Sequence, residues 1–183
     1  MTDAALLALA GEEGFAAAVI ATDEIVTDPK FRPYCEENRC GRYNANYARP
    51  PDCGTVEETR LRLMAQECAL VVQSVWEIGS YENKAAILDA RRRHNAAVLR
   101  LSAKLRQAGL TGFSLGYGGC PLCEPCKRVS GEPCPRPQER IRCLSAYCVD
   151  VAKLAQTCGL PFAWEPERLY LFGMFACRLP THE

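Results

Sequence analysis

The chain has 183 residues, and its 22 Lys plus Arg are matched by 22 Asp plus Glu, so the formal net charge is zero. That balance supplies no long-range positive field for a nucleic acid or an anionic membrane surface, and 48% hydrophobic residues is too many for a disordered chain. One domain over residues 1–183 is expected, with no apolar run of the roughly 18–20 residues that cross a bilayer.

In chain order, residues 4–10 predict a short helix, and 14–21 with 24–26 a strand and turn. An irregular stretch follows at 28–54, rich in Pro, Asn, Arg and Cys, and long irregular loops are usually functional. Thr55 before Glu57 and Glu58 has the form of a helix N-cap with acids in the first turn, running to about residue 66. Residues 69–76 form an apolar run expected to be a buried strand. Ile87, Ala90, His94, Ala97, Val98, Leu101 and Leu105 recur at helical spacing, which predicts a long helix over 83–108 closed by Gly109. A strand is expected at 111–117 and a second irregular, Cys- and Pro-rich stretch at 118–142. Helical patterning returns at 145–157, and an apolar strand at 169–176 ends the sequence pattern. The expected fold class is α/β of the mixed α+β kind. It has a central sheet, flanking helices and two cysteine loops at 28–54 and 118–142.

Twelve cysteines stand against only two histidines. The first residues carry an acid at Asp3 and no basic segment, unlike a signal peptide, so a reducing, cytoplasmic setting is expected. There, closely spaced cysteines are more often metal ligands than disulfides. Cys120-x2-Cys123-x2-Cys126, followed by Cys134-Pro135, resembles the ferredoxin-type loop around a cubane 4Fe-4S cluster. Thiolates at every third residue of a short loop can reach three corners of one compact cluster, whereas zinc usually takes its cysteines as separated pairs. Seven residues separate Cys126 from Cys134, where the common ferredoxin run has three. Gly118 and Gly119 give the backbone freedom to approach such a group. Zinc is the alternative metal.

Cys35-x4-Cys40-x12-Cys53 is a second set, one thiol short of four. Cys134, Cys143, Cys148, a substrate or water could fill the remaining place. An open iron would be a Lewis-acid site, and a distant cysteine would make the site closed and structural. If Cys134 crossed over to this set, Cys143 could close the other one. The simpler arrangement, with Cys134 closing its own loop, is preferred. In either case the two loops are expected on one side of the domain.

The order Cys35, Cys40, Tyr43, Cys53, Glu57-Glu58, then Gly118-Gly119-Cys120, Cys123, Cys126, Cys134 and Pro137, then Val149-Asp150-Val151, resembles the domain-of-unknown-function family 2284. Its members are described as predicted metal-binding proteins. The resemblance spans roughly residues 15–175 and implies two cysteine clusters and a metal, without naming a reaction. Two places depart from the family pattern. Pro50 and Pro51 precede Cys53 where prolines usually follow the third cysteine. Cys143 and Cys148 stand in a segment that usually reads Ser-Met-Glu-Ala-x-Gly-Ile-Asp-Val, which brings two further thiols close to the second loop.

Cys68, Cys158 and Cys177 are expected to be small buried hydrophobes. His94 is expected to be a packed core histidine, and His182, in the tail, is given no role. Arg91, Arg92 and Arg93 are expected on the solvated side of the long helix. Lys127, Arg128, Arg136, Arg140 and Arg142 surround the second loop, opposed by Glu124, Glu132 and Glu139. Such cations would stabilise an anionic thiolate-bound cluster or attract an acidic redox partner or a small anionic substrate. No Walker, GxSxG, dinucleotide or HExxH motif is present. The functional expectation is a cytoplasmic iron–sulfur protein with one or two clusters that passes electrons to a partner enzyme. An enzyme with an open-site cluster at Cys35, Cys40 and Cys53, and a zinc-stabilised interaction module, are the alternatives. No nucleic-acid or membrane partner is expected.

Overall fold

The computed structural model describes residues 1–178, so His182 lies outside the described residues. Its helices are α1 (Asp3–Glu12), α2 (Arg32–Glu36), α3 (Val56–Met64), α4 (Lys84–Gln107) and α5 (Val151–Cys158). Its strands are β1 (Ala16–Ala21), β2 (Cys68–Glu77), β3 (Thr111–Gly116), β4 (Arg142–Cys143) and β5 (Arg168–Arg178). The strands form one sheet in the order β1-β2-β5-β3-β4. All neighbours run antiparallel except β3 and β4, which pair in parallel through Leu115 with Arg142 and Gly116 with Cys143. The chain is a single α+β domain.

Side chains that alternate along a strand feed two cores, one on each face of the sheet. In β2, Leu70 and Val72 pack with Leu6 of α1 and Val98, Leu101 and Leu105 of α4. Ala69 and Val71 point the other way, into a cluster with Leu63 of α3 and Leu154 and Ala155 of α5. The inner strand β5 is covered on both sides, which is why its sequence is a near-continuous apolar run rather than an alternating one.

The helix starts follow local chemistry. Thr55 and Glu58 form a reciprocal capping box, with Glu58 N–H donating to Thr55 Oγ1 at 3.2 Å and Thr55 N–H to Glu58 Oε2 at 2.8 Å. Asn83 caps α4 by accepting from Ala86 N–H. The expected helix over 145–157 differs in the structure. It is broken at Cys148, which has φ +55°, and α5 begins only at Val151. The cause is tertiary. Val149 bridges Thr27, Asp150 N–H donates to Val26, and Asp28 N–H donates to the Cys148 carbonyl, so this stretch is drawn out of helical geometry. Asp150 then caps the shortened helix through Lys153 N–H at 3.1 Å.

This topology gathers the cysteine segments. Residues 117–141 connect the parallel strands β3 and β4, and α2 with the residues up to Thr55 packs beside them. No helix of the described residues is long and apolar enough to cross a membrane.

Candidate metal centres

Cys120, Cys123, Cys126 and Cys134 line one cavity, together with Tyr47, Lys127, Arg136 and Arg140. Cys120 is buried and the other three are half-buried. The long spacer before Cys134 doubles back through a short 3-10 turn at Lys127–Ser130 and a left-handed Gly131, so Cys134 returns to its own loop. Cys134 thus lies with Cys120, Cys123 and Cys126.

Cys143 goes the other way. It is buried in contact with Cys35, Cys53 and Ala146. α2 delivers Cys35, the turn before α3 delivers Cys53, and the parallel pairing of Gly116 with Cys143 delivers the third thiol. Cys40 is exposed, but it lies within electrostatic reach of the same arginine, Arg49, as Cys35 and Cys143. Four thiols thus lie about the pair Arg49 and Arg32, and Cys143 stands with the first set rather than beside the second loop's cysteines.

These two arginines are the least expected part of the site. Arg49 donates to Cys35 Sγ at 3.3 Å, and Arg32 lies 3.8 Å from Cys53 Sγ while donating to the Gly54 carbonyl at 3.0 Å. Both side chains are buried, and among the described residues Arg32 Nε and Nη2 and Arg49 Nε have no hydrogen-bond partner. No carboxylate pairs with either among the described residues. Burial pushes the Cys35 and Cys53 thiols up, against the pull of Arg49 on the first and Arg32 on the second. Burial also works against the charge of Arg49, but Cys143, Cys40 and Cys35 outweigh it and its pKa is raised. Cys148, fully buried, sits beside Arg32 and outside this group.

The two loops are bolted together. Asn46, between Cys40 and Cys53, is 1% exposed and exchanges two hydrogen bonds with the backbone of Cys120. Tyr47 Oη donates to the Glu132 carbonyl at 2.6 Å. Arg128 Nε donates to both oxygens of Asp52, at 2.9 and 2.8 Å, and Arg128 also reaches Asn44 Oδ1. Of the two glycines before Cys120, only Gly118 has positive φ, at +78°. Gly119 serves closeness instead. A Cβ there would stand 2.8 Å from Arg42 Cδ and 3.0 Å from Asn46 Nδ2.

Residues 18–176 match the model of the family described as "Predicted metal-binding protein (DUF2284)". The chain belongs to this family. No curated protein and no solved structure matches it.

For a member of DUF2284, the question is whether these residues fit a metal. Among the described residues, no three His, Cys, Asp or Glu side chains converge closely enough to hold a single ion. The donor chemistry nevertheless fits a thiolate-bound group. Both sets are thiols, and thiolates select soft metals and iron–sulfur clusters. Two buried guanidiniums without carboxylates call for a compensating negative charge, which thiolate ligation brings. Sequence patterning missed Arg32, Arg49 and Asn46. Buried polar residues in an irregular segment carry no periodicity, and the only available signal was that the segment is long and lies between cysteines.

The other sulfurs have simpler surroundings. Cys68 and Cys177 face one another across β2 and β5 with Sγ atoms 3.4 Å apart. Cys158 is half-buried, and burial raises its thiol pKa to about 11. His94 is fully buried, its Nδ1 is 2.7 Å from Ser74 Oγ, and its ring packs edge-on to Phe15. The Arg91–Arg93 run is solvated only in part. Arg91 lies over the Tyr117 ring and Arg93 over the Trp76 ring.

Proposed function

We propose that this metal-binding protein is an iron–sulfur electron carrier with two all-cysteine centres. One is held by Cys120, Cys123, Cys126 and Cys134, and the other by Cys35, Cys40, Cys53 and Cys143. Its redox partner is a protein enzyme. The observation that carries the proposal is the direct docking of the two loops through Asn46 and Cys120, which sets the two thiol groups side by side. Two adjacent centres make a route for electrons, while one structural metal would need neither neighbour. A thiolate-bound cluster supplies one-electron oxidation and reduction with potentials set by net charge and hydrogen bonding.

The chain's own residues divide the remaining work. Lys127, Arg136 and Arg140 flank the second set and give it a cationic rim suited to an acidic partner surface. Arg32 and Arg49 bring buried positive charge to the first set, which favours its more negative, reduced state. With Cys143 in contact with Cys35 and Cys53, the first set has a fourth thiol. This weighs against an open-iron Lewis acid and for a closed centre.

Anaerobic isolation tests the proposal. Brown protein with iron, acid-labile sulfide and a broad visible shoulder is expected. Stoichiometric zinc without sulfide would replace the redox reading with that of a zinc-stabilised interaction module. Cys134→Ser should deplete only the second centre and Cys143→Ser only the first, read by electron paramagnetic resonance after reduction.

A further inference from the structure

A cavity of about 410 Å³ lies on the other side of Cys143, within the size range of small-molecule sites. One wall is a chain of aromatic rings from the turn before α4, the segment before β5 and β5 itself. Tyr81 and Trp164 have ring centroids 6.2 Å apart, Trp164 and Phe162 6.2 Å, and Phe162 and Tyr170 6.4 Å. Trp164 is 82% exposed, a large indole with little of its surface covered.

Arg49 and Arg91 also line this cavity, and among the described residues no acidic one does. Arg49 is only 8% exposed, and its Nε has no hydrogen-bond partner among the described residues. Arg91 Nε is likewise unpartnered, and its guanidinium is stacked 4.3 Å from the centroid of Tyr117. Tyr117 is itself pinned, because Asn95 Nδ2 donates to its carbonyl at 2.7 Å and Asn95 Oδ1 accepts from its N–H at 3.2 Å. The cationic end is thus held in place before any ligand arrives, which reduces the ordering cost of binding.

We infer that this cavity binds a flat, ring-bearing organic anion, with its rings against Phe162, Trp164 and Tyr170 and its acid group on Arg49 and Arg91. A neutral aromatic would leave the Nε–H groups of Arg49 and Arg91 without an anionic acceptor, and a small inorganic anion would leave the aromatic wall uncovered. Guanidinium forks match carboxylate and phosphate alike. The anion and the Cys35 thiol share Arg49, so the bound molecule sits against the first cysteine set. The inference does not depend on which metal that set holds.

The test titrates the anaerobically isolated protein with 2-naphthoate, 2-naphthyl phosphate and 2-naphthamide, by calorimetry and saturation-transfer NMR. At least one anion is expected to bind with a dissociation constant below about 1 mM, and the amide about 10-fold more weakly. The better of the two anions identifies the head group as carboxylate or phosphate. Arg91→Gln should bring the preferred anion down to the affinity of the amide. Trp164→Ala, at a side chain exposed enough to remove without opening the core, should weaken all three probes. Equal binding of anions and amide, unchanged affinities in folded Arg91→Gln or in Trp164→Ala, or no saturation by any probe up to about 10 mM, would each overturn the inference.

Discussion

Asn46 and Cys120, 74 residues apart in sequence, hold each other by two buried hydrogen bonds. Asn46 Nδ2 donates to the Cys120 carbonyl at 3.2 Å, and Cys120 N–H donates to Asn46 Oδ1 at 3.3 Å. The same Oδ1 accepts from Ala48 N–H at 3.0 Å, so one carboxamide fixes the turn before Cys53 and the first cysteine of the other loop.

Asn46→Ala should therefore disturb both centres at once. It strands two buried N–H groups and a buried carbonyl, at a cost of about 3 kcal/mol. Urea unfolding should show that loss, and metal analysis should show metal content falling in both cysteine sets together. Metal lost from one set alone would mean that the loops are not coupled through this residue.

Gly119→Ala tests the same contact from the other side. The added methyl would meet Arg42 Cδ at 2.8 Å and Asn46 Nδ2 at 3.0 Å, and the Asn46 amide is buried and has little room to yield. A loss of about 1–3 kcal/mol is expected from the overpacking. Gly118→Ala should instead be destabilising through its left-handed φ, with no neighbour within 4 Å to clash. Double-mutant analysis with Asn46→Ala separates the two, since only Gly119→Ala should be non-additive.

Cys123→Ala should loosen residues 118–142 and leave α4 intact. The loop has few apolar contacts of its own, so the proposed ligation would supply its ordering energy, since metal-binding free energy is folding free energy. Hydrogen exchange should show lost protection over 118–142 with α4 unchanged. Full protection of the loop in the variant would show that hydrogen bonds such as Tyr47 to Glu132 suffice to hold it.

His94 gives the fold an acid-sensitive core. Burial depresses its pKa to about 4, opposed by a contact with the Phe172 backbone, from an ordinary value of 6.5. Above pH 6.5 the imidazole is neutral in both the folded and unfolded states. Between 6.5 and 4 the unfolded chain takes up a proton that the folded one refuses, so stability falls as pH falls and levels off below about 4. Going from pH 7.5 to 5, this linkage amounts to about 2 kcal/mol. Urea midpoints at the two pH values should differ more for the native protein than for His94→Gln. Equal differences would exclude His94 as the source.

The local sequence determined those features that depend on a few neighbouring residues. The apolar stripe of α4, the capping box of Thr55 and Glu58, and the tight spacing of Cys120, Cys123 and Cys126 each act over one or two turns of chain. Their physical causes are helix periodicity, unsatisfied terminal N–H groups and the reach of a short loop. Pairing across the sheet decided the rest. Cys143 joins Cys35 and Cys53 because the parallel register sets it opposite Gly116 at the end of β3. Val149 was held out of a helix by Thr27, more than a hundred residues away. Arg49 and Arg91 belong to one cavity although one comes from a loop and the other from α4, and no pattern in the sequence links them. Local spacing specifies which thiols can act together within a loop. Only the docked sheet and loops, by burying guanidiniums where no carboxylate follows, decide what charge the assembled site must receive.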